Sequence, residues 1–334
     1  MLLHPAILAL LLVSLLMLLM LLPATRFALQ VVRHWDSSSG SEFQLLLERR
    51  TYLISTLVSW VFIAEILSLL LFVYTAEDLS GQFVGAMCAT GVLNLNPWGW
   101  PTLLLKMALF FCGSGWLALN HLDNCGYDYP LLRRKYLLLL LFLPLAALEA
   151  VAQIRFFSEM KREVITSCCG ALFSSSGEGV AAEVSALTPE MALTLLVMTA
   201  GILFVSGLWL LVRQRGAAIF AIAALAAWGA ALVAIISFIA LYIYEHPHHH
   251  CPFCLLKAGH HYIGYALYLP LFGATALAIA AAVVAKGAQI PSLAEAVTAL
   301  LPRYLIPSLL LFLIFYLVVA AAVASSGLML SWSW

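Results

Sequence analysis

Residues 217–244 read AAIFAIAALAAWGAALVAIISFIALYIY, an unbroken run without one charged side chain. About 20 consecutive apolar residues suffice for a helix to cross the hydrocarbon of a bilayer, so this stretch is expected to span a membrane. The rest of the chain has the same character. Of 334 residues, 64% are hydrophobic and 10% charged, with a mean hydropathy of +1.04; a soluble domain carries about 25% charged residues. Further apolar runs lie near 5–22, 52–75, 101–120, 136–153, 191–212, 261–285 and 304–325. The expected fold is all-α: a polytopic transmembrane helical bundle of about eight spans, forming a single integral membrane domain over 1–334. The first run has no basic residue before it and reads as an uncleaved helix rather than a secretory leader. Zero net charge says nothing about partners, but the lack of a basic stripe argues against nucleic acid. Membrane lipid is the expected partner of most of the surface.

Lysine and arginine set the orientation, because they accumulate in cytoplasmic loops. With the N-terminus outside, the inner connections hold Arg26, Arg33, Arg49, Arg50, Arg133, Arg134, Lys135, Arg213, Arg215, Lys286 and Arg303. The outer connections hold only Arg155, Lys161, Arg162 and Lys257. Both termini are therefore expected outside, with Arg133-Arg134-Lys135 as a topology anchor. Cys88, Cys168, Cys169, Cys251 and Cys254 then fall on the outer side, Cys125 on the inner side and Cys112 within a helix. The outer compartment is where disulfides persist. The connection 23–51 is expected to be polar, Ser-rich and cytoplasmic, and partly helical from Glu42 to Arg50. The run Asn94-Leu95-Asn96-Pro97-Trp98-Gly99-Trp100-Pro101 suits an interfacial belt and a half-helical turn.

The densest chemistry lies in Cys251-Pro252-Phe253-Cys254, between the sixth and seventh spans on a water-facing rim. Two intervening residues let the sulfurs meet on a first helical turn, and a helix N-terminus favours the thiolate of the first cysteine. Pro252 has no N–H to lose at such a position. Redox exchange, a static bridge and half of a metal site all remain open on these residues. Cys168 and Cys169 are adjacent; a bond between them is strained and easily reduced. Either of them bridged to Cys88 is instead a staple between loops.

Cys251-Pro252-Phe253-Cys254-Leu255-Leu256-Lys257-Ala258, following Tyr242-Ile243-Tyr244, resembles the active-site segment of the vitamin K epoxide reductase family. Bacterial members carry a Cys-Pro-aromatic-Cys-Leu-x-x-Ala pattern there. Upstream, Cys88-Ala89-Thr90-Gly91-Val92-Leu93-Asn94, then Pro97, Gly99 and Pro101, is similar to the loop in which that family places a shuttle cysteine. The resemblance covers two short patches. It departs from the family in having one loop cysteine where two are usual, Leu95 where serine is common, and four additional spans. It implies a DsbB-like exchange of electrons between extracytoplasmic thiols and a membrane quinone, in a bacterial inner (plasma) membrane with its cysteine-rich loops on the periplasmic side. It also implies a redox core formed by the spans near 52–120 and 217–285. Cys254 is then the quinone-facing thiol, and Cys251 exchanges with Cys88 or with the pair Cys168 and Cys169. Asn94, Trp98 and Trp100 are the implied quinone contacts, and an extracytoplasmic thiol or disulfide protein is the implied partner.

His246, His248, His249 and His250 precede the cysteine pair, and His260 and His261 follow it. Imidazole with thiolate suits copper or zinc; equally, a histidine beside a thiol tunes it or relays protons. A solvated loop rich in histidine is the plain alternative. Cys254 is followed by Leu255 rather than histidine, so there is no signature of covalent haem attachment. Glu65, Lys106 and Glu149 fall inside spans, where ionisable groups are costly and mark function by default. Glu65 and Lys106 lie on neighbouring spans, and Lys106 is near enough to the outer surface to snorkel. Three functions follow: a quinone-linked thiol–disulfide oxidoreductase, a His/Cys metal-binding or metal-moving membrane protein, and a non-catalytic subunit of a respiratory or assembly complex with structural outer disulfides.

Overall fold

The structure is a computed structural model that describes residues 3–36, 39–161, 184 and 187–328. It is helical throughout, with no strand among the described residues. Among the described residues, eight helices are long and apolar enough to cross a membrane. In hydrocarbon every backbone N–H and C=O must be satisfied within the segment, which leaves the helix as the spanning form for such runs.

The long helices are α1 (Pro5–His34), α2 (Glu42–Leu79), α4 (Gly99–Asp123), α5 (Leu132–Ser158) and α6 (Pro189–Arg213). They are followed by α7 (Ala217–Tyr244), α8 (Ile263–Lys286) and α9 (Ala294–Ser325). The short α3 (Ala89–Leu93) lies between α2 and α4. Within α7 the hydrogen-bond pattern widens to a π turn over Ile235–Ile239.

Several helices outrun the apolar runs that announce them. The segment 23–34, read from sequence as part of a polar connection, is instead the end of α1, which passes through Pro23. Phe27, Ala28 and Val31 continue its buried stripe beyond the membrane-length run. Glu42 to Arg50 is helical as expected, being the first turns of α2. Arg303, expected in a loop, lies within α9.

The chain folds as two compact units. The first comprises residues 1–75, 96–160 and 279–302, and the second residues 76–95, 161–278 and 303–334. In the first unit α5 packs against both α1 and α4. Its core joins Met17, Leu21 and Phe27 of α1, Val58 and Phe62 of α2, Leu109 and Trp116 of α4, and Tyr136, Leu139 and Phe142 of α5. Gly113 permits the close approach of α4 to α2: a Cβ there would stand 2.9 Å from the Phe62 ring. In the second unit α6 packs against α7.

Candidate functional site

In the second unit, three thiols from two separated segments share one buried place. The Sγ atoms of Cys88, Cys251 and Cys254 all lie within 4.8 Å of one another. Cys88 and Cys251 are 0% exposed and Cys254 is 7% exposed. Cys88 Sγ stands 3.4 Å from Cys251 Sγ, and Thr90 Oγ1 stands 3.4 Å from the same sulfur. These are thiol hydrogen-bond contacts, well beyond the roughly 2.05 Å of a disulfide. No disulfide joins any two of the described cysteines.

Local sequence explains the Cys88 side. The chain leaves α2, makes a 3-10 turn over Ser80–Gln82, and is extended at Cys88, the residue before α3. The N–H of Ala89 donates to Glu77 Oε2 at 2.8 Å, so a carboxylate at the end of α2 holds the start of α3. Every residue of α3 is buried. Lys257 completes the clamp: its Nζ lies 3.3 Å from Glu77 Oε1 and donates to the carbonyl of Met87. The segment carrying Cys88 is thereby tied to the segment carrying Cys251 and Cys254.

The Cys251 side corrects the sequence reading. Cys251 and Cys254 do not open a spanning helix on a water-facing rim. They are buried, and only 3-10 turns follow them, Cys254–Leu256 and Ala258–His260. His261 and Tyr262 then adopt left-handed backbone at φ 53° and 56°, and α8 begins only at Ile263. A long helix dipole is therefore not aimed at Cys251. Tyrosines hold the loop instead. The hydroxyl of Tyr244, at the end of α7, donates to the Cys251 carbonyl at 2.6 Å. That of Tyr268, on α8, donates to the Pro252 carbonyl at 2.8 Å. Gly264 lets α8 press against the loop: a Cβ there would stand 2.9 Å from the backbone carbon of Leu255.

The histidines surround this loop without converging on one point. The metal-capable grouping found among the described residues consists of the three sulfurs alone. His246 and His248 are exposed. The Tyr244 ring lies between His249 and His260, with centroids 4.3 and 4.4 Å away. His250 Nδ1 lies 2.8 Å from the Ile236 carbonyl in the π turn of α7, an acceptor that places the ring hydrogen on Nδ1. Burial chiefly lowers the pKa of both His250 and His260, reinforced by neighbouring imidazoles.

Asn94 caps α3 at its C-terminal end, its N–H donating to the Thr90 carbonyl. Trp98 and Trp100 are half-buried at the start of α4 and belong to the first unit. Cys168 and Cys169 lie outside the described residues.

The spans' ionisable residues form a second cluster, wholly within the first unit. Lys106 does not snorkel. It is 0% exposed, with Nζ 3.3 Å from Glu65 Oε1, 2.8 Å from Glu149 Oε1 and 2.8 Å from Ser68 Oγ. Lys135 is also buried, with Nζ 2.8 Å from Asp123 Oδ2 and 3.0 Å from Asn120 Oδ1.

Glu77, Thr90 and Tyr268 are the site residues that sequence reasoning missed. A carboxylate just past an apolar run was the available signal for Glu77; Thr90 lay inside the family-like patch around Cys88 with no role assigned to it, and nothing marked Tyr268. Comparisons with family models, with curated proteins and with solved structures find no match to this chain.

Proposed function

We propose that this integral membrane protein is a thiol–disulfide oxidoreductase that passes electrons from extracytoplasmic thiols to a membrane quinone. The observation that supports this best is the 3.4 Å approach of Cys88 to Cys251, with Cys254 in the same cluster. Exchange proceeds by a thiolate attacking a disulfide sulfur through a mixed disulfide. Starting from a Cys251–Cys254 disulfide, the Cys88 thiolate attacks Cys251, the Cys88–Cys251 bond forms, and Cys254 leaves as a thiolate that takes up a proton. An external thiolate then attacks Cys88 and releases Cys251. A second external thiol displaces Cys88, so two external thiols end as one disulfide and Cys251 and Cys254 as thiols. The donor set fits a quinone, because two thiols release the two electrons and two protons that a quinone takes up. When bound, a quinone supplies that two-electron acceptor, with Cys254 and Asn94 the residues assigned to it by resemblance. Thr90 Oγ1, at 3.4 Å, is placed to hydrogen-bond a Cys251 thiolate.

The test is differential alkylation with mass spectrometry on the purified protein, with and without added quinone. The expected result is a quinone-dependent change of Cys251 and Cys254 from thiols to a disulfide, and a Cys88–Cys251 bond that accumulates in Cys254→Ser. Thiols that never change state overturn the reading.

A second reading is favoured by the same triad, since three sulfurs within 4.8 Å suit a soft ion such as monovalent copper. Elemental analysis separates the two: stoichiometric copper or zinc, lost in Cys251→Ala, favours the metal site.

A further inference from the structure

Lys106, Glu65 and Glu149 form a cluster that the cysteine chemistry does not use. It draws on four helices: Ser14 from α1, Glu65 and Ser68 from α2, Lys106 from α4, and Glu149 and Gln153 from α5. All six side chains are buried, Glu65, Lys106, Glu149 and Gln153 at 0% exposure. Two carboxylates face one ammonium, so full ionisation leaves one net negative charge inside the bundle.

The hydrogen bonds carry a matching deficit. The Lys106 ammonium has three N–H groups, and three oxygens surround it: Glu65 Oε1, Glu149 Oε1 and Ser68 Oγ. Ser14 donates to Glu149 Oε2 at 3.4 Å. Gln153 spends its amide hydrogens on Ser14 Oγ at 2.7 Å and the Leu10 carbonyl at 3.1 Å. Glu65 Oε2 and Gln153 Oε1 then remain as buried acceptors with no donor among the described residues, and Glu149 Oε1 meets Lys106 as an ion partner without an aligned hydrogen bond. The cluster is short of one positive charge and short of donors.

The other buried lysine of this unit is the control. Lys135 meets one carboxylate, Asp123, and the count closes there. Asp123 Oδ2 takes the ammonium and Oδ1 accepts from the Leu131 N–H at 2.9 Å. Asn120 accepts from Lys135 and donates to Ser59. One positive group, one negative group and satisfied oxygens need nothing more.

We propose that Glu65, Glu149 and Lys106 form an intramembrane proton-binding site that holds one exchangeable proton shared between the two carboxyls. An O–H bond on either carboxyl cancels the excess charge and adds the missing donor in one step, and no electrons move. Paired carboxylates in one low-dielectric site share a proton for the same reason, since both cannot ionise together. The ligand is a hydron rather than a metal cation because the Lys106 ammonium already fills the centre of the oxygen cage. Nothing in this site depends on the cysteines.

Infrared spectroscopy of the full-length protein in lipid nanodiscs tests this without needing a variant. At neutral pH, where exposed carboxyls are ionised, the wild type should show the C=O band of one un-ionised carboxyl, shifted on transfer to deuterated water. Glu65→Gln and Glu149→Gln should each abolish the band, because either substitution leaves one carboxylate against one ammonium. Absence of the band from the wild type overturns the proposal, as does its survival in either variant.

Discussion

The two buried clusters, one of thiols and one of charges, are built on opposite principles. Cysteine is among the residue types most often fully buried and carries little desolvation cost. The three sulfurs do not hold the second unit together. They are held by it, through Tyr244 and Tyr268 on the loop carbonyls and the Glu77–Lys257 clamp on the Cys88 segment. Lys106, Glu65 and Glu149 are costly to bury singly, and only their mutual attraction makes the burial tolerable. The difference separates freedom from cohesion. Thiols fixed by a scaffold can change covalent partners without loosening the fold, whereas charges that join four helices cannot lose a member cheaply.

The sharpest way to break this contrast is to remove one member from each cluster. Lys106→Met leaves the proton-sharing carboxyl pair without its cation among α1, α2 and α5, and should destabilise the protein by about 3–5 kcal/mol. Adding Glu65→Gln and Glu149→Gln should restore most of that loss, since a neutral cluster leaves no uncompensated charge. Cys251→Ser should cost about 1 kcal/mol, the scale of an altered hydrogen bond. Thermal unfolding in lipid or detergent reads all three. Equal losses for Lys106→Met and Cys251→Ser would falsify the distinction between a cluster that holds and one that is held.

The helix-loop contact beneath the thiols comes next in size. Gly264→Ala puts a methyl 2.9 Å from the Leu255 backbone, which is not free to swing aside. Overpacking of this kind costs about 1–3 kcal/mol. The strain falls on the turn carrying Cys254, so alkylation of Cys254 should quicken while Lys106-dependent stability is unchanged. An unaltered Cys254 reactivity would mean that α8 does not set the loop's position.

What could be read from sequence follows the same division. Each long apolar run became a helix, because hydrocarbon allows few alternatives and length alone identifies such a segment. Helix ends were less legible: α1 continues to His34 on a buried stripe that begins before the run ends and outlasts it. Glu65, Lys106 and Glu149 stood out one by one as charges in apolar surroundings. Their meeting did not, since relative depth depends on how α2, α4 and α5 tilt and stagger. The helix-start reading of Cys251 failed at His261 and Tyr262, whose left-handed backbone delays α8 to Ile263. Neither residue is the glycine that most often announces such a conformation. Glu77 acts across a fold-made gap, on an N–H twelve residues away that no local pattern predicts.

A smaller effect on stability separates the two parts of the thiol scaffold. Lys257 and Glu77 form a part-exposed ion pair, with side chains 37% and 16% exposed, so Lys257→Met should cost no more than about 1 kcal/mol. Its consequence for chemistry should be larger. Without the tie to Met87 and Glu77, Cys88 loses its fixed approach to Cys251, and oxidative cross-linking of the two in Cys254→Ser should slow about tenfold or more, as expected where preorganisation is lost. An unchanged cross-linking rate would show that Tyr244 and Tyr268 suffice to align the sulfurs.

The smallest expected effect is a pH response confined to the histidine loop. Burial holds His250 and His260 at lowered pKa in the closed loop, so the closed state resists protons that an opened loop accepts near the ordinary histidine value of about 6.5. Below that value the open state binds more protons than the closed one. Linkage then requires the loop's stability to be fully present above about pH 6.5 and to fall as pH drops towards the lowered values. Hydrogen exchange over 245–262, compared between about pH 7.5 and pH 5.5, should show protection lost on the acid side. His250→Gln, which keeps an N–H donor for the Ile236 carbonyl but does not titrate, should flatten that response. Helix α6 offers the internal reference, because it contains no histidine and takes no part in the proton-binding cluster, and protection there should stay level across the same window. A matching loss in α6 would mean that acid loosens the second unit as a whole, and that the loop's histidines are not what senses it.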